Sequence, residues 1–223
     1  MKSVLSLCML LTYMLLAGCI DLAVNDGKNK HVGLNKSAQV NGVVYTMRGG
    51  LGGIFSKGMN RLEDTLDNNY RIKASSTVWY KGSALSQSII QGYKSKKIHG
   101  PIVLVGHSLG ANEQILVAKR LAKENIPVAL LITVDAVAPT AVPPNVQLAI
   151  NLYKPGYVPM LSGLQLKAMN YKCTRIENIN VTTLKNMNVN HFTIDSCKQV
   201  QQIMLEHVLA ALKNKHVCTA CYC

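Results

Sequence analysis

The sequence predicts an α/β fold, a mostly parallel central sheet with helices on both faces. Three observations carry this expectation. From Val43 onward, short β-rich runs alternate with helical patterns, the order in which βαβ units are written. Two of those runs, Ile102-Val-Leu-Val105 and Ala129-Leu-Leu-Ile132, are apolar at every position, as central strands covered on both faces must be. The chain has 223 residues, 48% of them hydrophobic and 16% charged, enough for one domain burying roughly 70% of the surface its unfolded chain exposes. The same composition excludes a disordered chain, and the lack of a Gly-X-Y period or a sustained heptad excludes collagen-like and coiled-coil forms.

Residues 1–18 precede the alternation. Lys2 followed by the apolar run Val4–Leu16 has the layout of a signal peptide, and the run is shorter than the about 20 residues a membrane span needs. The ending Leu16-Ala17-Gly18-Cys19 resembles the lipobox of bacterial lipoproteins. That resemblance implies cleavage before Cys19, acylation of its thiol and a lipid-anchored protein of the bacterial cell envelope. Ile20, in place of an Asp after Cys19, points to the outer membrane within the same pattern. Residues 19–42, rich in Asn, Lys, Gly and Asp, are the expected tether.

The expected domain spans residues 43–215. Its strands fall at Val43–Met47, Tyr70–Ser75, Pro101–Gly106, Val128–Val134, Val146–Tyr153 and Thr174–Val181. Helices fall at Lys57–Asn68, Ala84–Lys96, Asn112–Asn125 and Ser196–Lys213. In the third of these, Ile115, Leu116, Ala118, Leu121 and Ala122 recur at helical spacing. Pro139, Pro143 and Pro144 mark a loop between two strands rather than a boundary between domains. There is no internal repeat, and the length leaves no room for a large cap domain. Residues 216–223 form a Cys-rich tail.

The net charge of +13 is spread along the chain, with Lys28, Lys30 and Lys36 near the tether, Lys94, Lys96 and Lys97 on a loop, and Lys119, Arg120 and Lys123 on a helix. A nucleic-acid binder concentrates such charge on one face and interleaves aromatics, whereas this chain has one Trp and two Phe. No nucleic-acid partner is expected. A solvated basic surface facing anionic lipid headgroups, worth about 1 kcal/mol per suitably placed Lys or Arg, suits a membrane-tethered domain better.

The most informative segment is Ile102-Val-Leu-Val-Gly106-His107-Ser108-Leu109-Gly110-Ala111, a G-x-S-x-G at the end of an apolar strand and directly before a helix. Such a turn is so sharp that the serine is strained and its hydroxyl stands above the sheet, with glycines either side sparing the neighbouring elements a collision. With this segment, the sequence resembles the α/β-hydrolase superfamily, especially its lipase and esterase branch, over about Val43 to Lys213. The resemblance implies a triad in the order Ser, acid, His. Of the acids between Ser108 and the later histidines, Glu113 and Glu124 belong to the helix after the turn and Glu177 to a strand. Asp135 follows the strand ending at Val134, where ligand sites of open α/β sheets lie, and is the expected acid. His191, between the last strand and the last helix, stands where the family carries its general base. His207 belongs to the final helix and His216 to the tail, while His107 is expected to pack against the turn rather than titrate.

An oxyanion hole needs two backbone donors. One is expected at Leu109, after the nucleophile, and the other on the loop Arg48-Gly49-Gly50-Leu51-Gly52-Gly53, at Gly50 or Leu51 by analogy with the superfamily's His-Gly-x turn. Arg48 stands where that turn usually has a His. Cys173 and Cys197 flank the His191 loop, and a disulfide between them could pin it. The tail cysteines Cys218, Cys221 and Cys223, with His216, are too crowded for a four-ligand zinc site, so no metal or other cofactor is expected. The expected activity is hydrolysis of a carboxylic ester, from a lipid or a small acyl ester, through an acyl-enzyme. A thioesterase or amidase, or a silent envelope lipoprotein using the fold as a scaffold, is the alternative.

Overall fold

The computed structural model describes residues 42–156 and 164–213. Among them, six strands form one sheet, β1 (Val43–Arg48), β2 (Ala74–Val78), β3 (Ile102–His107), β4 (Val128–Val134), β5 (Val146–Tyr153) and β6 (Arg175–Asn180), in the spatial order β2-β1-β3-β4-β5-β6. Every neighbouring pair is parallel. Four helices, α1 (Lys57–Tyr70), α2 (Gly82–Lys94), α3 (Leu109–Ala122) and α4 (Lys198–Lys213), complete the architecture.

Strand periodicity divides the core between the two faces. Val103 and Val105 of β3 point to one face, where Met59, Leu62 and Leu66 of α1 and Val200, Met204 and Val208 of α4 pack. Ile102 and Leu104 point to the other, against Ile89 of α2 and Ile115, Ala118 and Leu121 of α3. Both faces of β3 and β4 are covered, which is why these strands carry no polar side chain before Thr133 and His107. Each fully buried Leu, Ile, Val or Met contributes about 1.5–3 kcal/mol relative to exposure, so the apolar runs drive the sheet's assembly.

β4 and β5 lie where the sequence places them, and β2 does not. The expected run began at Tyr70, but α1 continues to that residue and Arg71 closes it in the left-handed conformation, φ 55°. Ile72 then turns inward. Pairing in the register Val44↔Ala74 to Arg48↔Val78 selects the more polar stretch that follows as the strand, at the sheet's edge. α3 starts at Leu109 rather than Asn112, because Ser108 itself is the turn.

The disulfide between Cys173 and Cys197 is not formed. Cys173 precedes β6 at the amino ends of the strands, where the adjoining Thr174 hydroxyl donates to Pro143 O (3.2 Å). Cys197 follows the His191 loop at the carboxyl ends, its Sγ 3.7 Å from Met187 Sδ. The length of β6, at about 3.3 Å per residue, separates them, whereas a disulfide needs its Cα atoms within about 7 Å. The signal segment, Cys19, the tether, residues 157–163 and the tail from residue 214 lie outside the described residues.

Candidate active site

The strand order reverses between β1 and β3: from β1 the chain moves outward to β2, then returns to the other side of β1 for β3. Loops leaving adjacent strands at such a point diverge and open a crevice at their carboxyl ends. Ser108 follows β3 and the glycine loop follows β1, so both stand at this crevice.

Ser108 has φ 58° and ψ −124°, a conformation costing a non-glycine residue about 1–3 kcal/mol. Its N–H donates to Val134 O (2.9 Å), which ties the turn to the end of β4. The flanking glycines make this approach feasible. A Cβ on Gly106 would lie 2.5 Å from Gly110 O, and one on Gly110 would lie 2.4 Å from Met47 O.

The structure brings Ser108, His191 and Asp135 into a line. His191 Nδ1 is 2.7 Å from Asp135 Oδ2, and His191 Nε2 is 2.9 Å from Ser108 Oγ. A carboxylate only accepts, so Nδ1 carries the ring proton and Nε2 accepts from the serine hydroxyl. Asp135, with φ 47°, is anchored by its N–H to Leu152 O (2.8 Å) and receives Lys154 N–H on Oδ1 (3.2 Å). Only 1% of Asp135 is exposed, against 8% each for Ser108 and His191. The carboxylate is thus sheltered while the hydroxyl and imidazole reach the surface of the crevice.

Of the glycine loop, Gly49 lies against the nucleophile, since a Cβ there would be 2.9 Å from Ser108 Cβ and 3.3 Å from its Oγ. The Gly49 N–H is already engaged by Ser56 Oγ (2.9 Å). Gly50 is the next amide along, and its own Cα faces Leu109, whose Cδ1 a Cβ there would meet at 3.3 Å. Leu109 opens α3, so its N–H has no acceptor within the helix. Leu51 is 71% exposed and begins a short 3₁₀ turn, Leu51–Gly53.

Three residues outside the expected set organise the crevice. Buried His107 reaches Ser56 Oγ through Nδ1 (2.8 Å) and His191 O through Nε2 (2.8 Å). Burial, and then the neighbouring His191, hold His107 down to about 4, so the ring is neutral near pH 7. The carbonyl of His191 can only accept, so Nε2 carries the proton, Nδ1 accepts from Ser56 O–H, and Ser56 Oγ accepts from Gly49 N–H. One directed chain of hydrogen bonds therefore joins the glycine loop to the backbone of His191. His107 does pack against the turn, as expected, but it also links two loops that the sequence gives no reason to connect.

Asp195 is the third. It is fully buried and its Oδ2 accepts Gly58 N–H (2.9 Å) at the start of α1. Burial pushes its carboxyl up to about 6, against the opposing effect of Gly58 N–H. Gln201 Nε2 donates to both Gly58 O (2.8 Å) and Asp195 O (2.6 Å), completing a clamp between α1 and the loop that carries His191. The only sequence hint of Ser56 is that it precedes a helix, and its side chain makes no bond to that helix. The acids set aside are engaged elsewhere. Glu113 pairs with Arg120 (2.7 Å), Glu124 with Lys94 (2.6 Å) and Glu177 with Arg175.

Neither a protein-family model nor a curated protein sequence matches this chain. Among solved structures, the RedJ thioesterase of the prodiginine pathway in Streptomyces coelicolor is 11% identical, with a TM-score of 0.45 over 78% of this chain and 91% of that one. A type II thioesterase, BorB, from the borrelidin biosynthetic cluster is 12% identical, with a TM-score of 0.47 over 77% and 93% of the two chains. A cutinase-like protein from Cryptococcus sp. is 12% identical, with a TM-score of 0.42 over 77% and 95%. The sheet of parallel strands with helices on both faces is the α/β architecture that the sequence leads one to expect.

Proposed function

We propose that this protein is a serine hydrolase that cleaves carboxylic esters, of a lipid or a small acyl compound, through an acyl-enzyme. The observation that carries the reading is the line Ser108–His191–Asp135, set on a strained turn at the mouth of the crevice. His191 Nε2 takes the hydroxyl proton as Ser108 Oγ bonds to the substrate's carbonyl carbon, and the carbonyl electron pair moves to oxygen. Asp135 keeps the imidazole in the required tautomer and stabilises its charged form. The amides of Leu109 and Gly50 hold the oxyanion; Gly50 is preferred to Leu51 because of its place beside Leu109. As the carbon–oxygen bond to the leaving group breaks, His191 returns the proton to the departing alkoxide. Water, deprotonated by His191, then attacks the acyl carbon and releases the acid with Ser108 restored.

The longest connection between described elements, residues 154–174, is too short to fold as a domain, which favours a small or extended substrate at an open site. The layout of residues 1–19 supports a lipid anchor at Cys19 and a place in the bacterial envelope as part of the same proposal. A fluorophosphonate probe and short 4-nitrophenyl esters test the chemistry. Labelling and turnover that both vanish in Ser108→Ala support it, and a folded wild type that shows neither overturns it.

A further inference from the structure

Beside the triad runs a groove of about 640 Å³, lined by Arg48, Ile54, Phe55, Lys57, Asn60 and Phe192 among others. It adjoins the reacting groups at two points. Phe192 follows His191 and meets its ring edge to face at 5.5 Å, while its own ring packs on Phe55 at 5.1 Å. Arg48 directly precedes Gly49, the residue lying against Ser108 Oγ. A substrate reaching Ser108 therefore has this groove within its span, and its volume is that of a small-molecule site.

The walls of the groove are mostly apolar, yet two cations stand in it. The Arg48 stem packs on Gly53, where a Cβ would come within 2.6 Å of Arg48 Cβ, and Gly53 has φ 79°, so a larger residue there would displace the arginine. Arg48 Nε is buried and has no hydrogen-bond partner among the described residues. Nε itself has no face on the groove, so a ligand there would meet the outer guanidinium nitrogens of Arg48, which are not buried in this way. None of the ion pairs among the described residues engages Arg48 or Lys57. Asp195, behind the groove, is fully buried and committed to Gly58 N–H.

We propose that this groove is a substrate subsite for a carboxylate carried on an apolar stem, with Arg48 its specificity-determining residue and Lys57 a second cation. The planar guanidinium edge matches a carboxylate, and the aromatic walls match the stem. The inference rests on the hydrolase reading and deepens it: the preferred ester would bear a free acid group away from the scissile bond.

The test compares two alkyl fluorophosphonates of equal chain length, one ending in methyl and one in carboxylate, by their second-order rates of Ser108 labelling. A charge-assisted hydrogen bond and its ion pair should make the carboxylate probe about tenfold faster in the wild type. That ratio should fall to about one in Arg48→Gln and part of the way in Lys57→Gln, since one cation then remains. Lys57 is exposed, so if Arg48→Gln fails to fold, the ratio in Lys57→Gln decides. Labelling of Ser108 at equal rates by both probes, or a ratio that survives the substitutions, overturns the subsite and leaves the hydrolase intact. No labelling of Ser108 by either probe overturns the hydrolase reading and this inference with it.

Discussion

At Ser108 the backbone and the proposed chemistry make opposite demands. Only the turn's sharpness lifts the hydroxyl to His191, but φ 58° with ψ −124° is a conformation glycine adopts without penalty. Ser108→Gly should therefore be more stable than Ser108→Ala by about 1 kcal/mol, read from denaturant midpoints, though both lack the nucleophile. Either variant should lose about 10⁴-fold or more in turnover while keeping the wild-type circular dichroism. Gly49 has no such freedom to change. Its φ is ordinary, but a methyl group would press on His107 O and Ser108 Cβ, each at 2.9 Å. Gly49→Ala should slow fluorophosphonate labelling at least about tenfold, because even a small displacement of the nucleophile is expensive in rate. Labelling at the wild-type rate would show that the loop can retreat.

Among the elements, what holds the crevice together is polar. The chain Gly49 N–H to Ser56 to His107 to His191 O crosses from the loop after β1 to the loop before α4. Ser56→Ala leaves a buried amide and a buried ring nitrogen unpaired, costing about 1–3 kcal/mol of stability. If Ser56 positions the triad, kcat should fall with KM little changed, and Ser56→Thr should recover part of the loss; a purely structural role would lower the melting temperature alone. A second polar set holds β5. Asn151 accepts Thr133 O–H (2.8 Å) and donates to Leu164 O (2.8 Å) and Asn178 Oδ1 (2.9 Å). Asn151→Ala strands a buried hydroxyl and should cost about 2 kcal/mol, measurable as a lower melting temperature. The sequence made the apolar parts of these elements legible, since β3, β4 and α3 are written in hydrophobic periodicity. It hid the polar links, because Ser56 and His107 are 51 residues apart, and Gly58 and Asp195 137. No local pattern marks a serine whose partners arrive only on folding. β2 was misplaced for a related reason: strand pairing with β1, not β propensity, decides which residues form an edge.

In the molecule as a whole, two buried groups pull stability in opposite directions with pH. His107 ordinarily titrates near 6.5 and is held at about 4, so its contribution is complete above 6.5 and is lost as the pH falls towards 4. Asp195 ordinarily titrates near 3.8 and is raised to about 6, so its contribution is complete below 3.8 and is lost as the pH rises through 6. Asp195→Asn removes the second dependence and keeps an acceptor for Gly58. The melting temperature of the variant should therefore climb relative to the wild type between pH 4 and 6.5, and a constant difference would contradict the assignment. Ser108, Asp135 and His191 could be picked out as candidates because each lies beyond the end of a strand, and the fold brings those ends together. The cysteine pairing was misread because proximity in sequence to one loop says nothing about which end of β6 a residue occupies. The sheet itself ends on two polar margins, Ala-Ser-Ser-Thr-Val in β2 and Arg-Ile-Glu-Asn-Ile-Asn in β6. Open backbone at a sheet margin can recruit a strand from another copy, and charge along it discourages that by demanding burial without compensation. The β6 margin, with Arg175 and Glu177, is guarded in this way against its neighbours, while the oily strands stay in the middle, out of their reach.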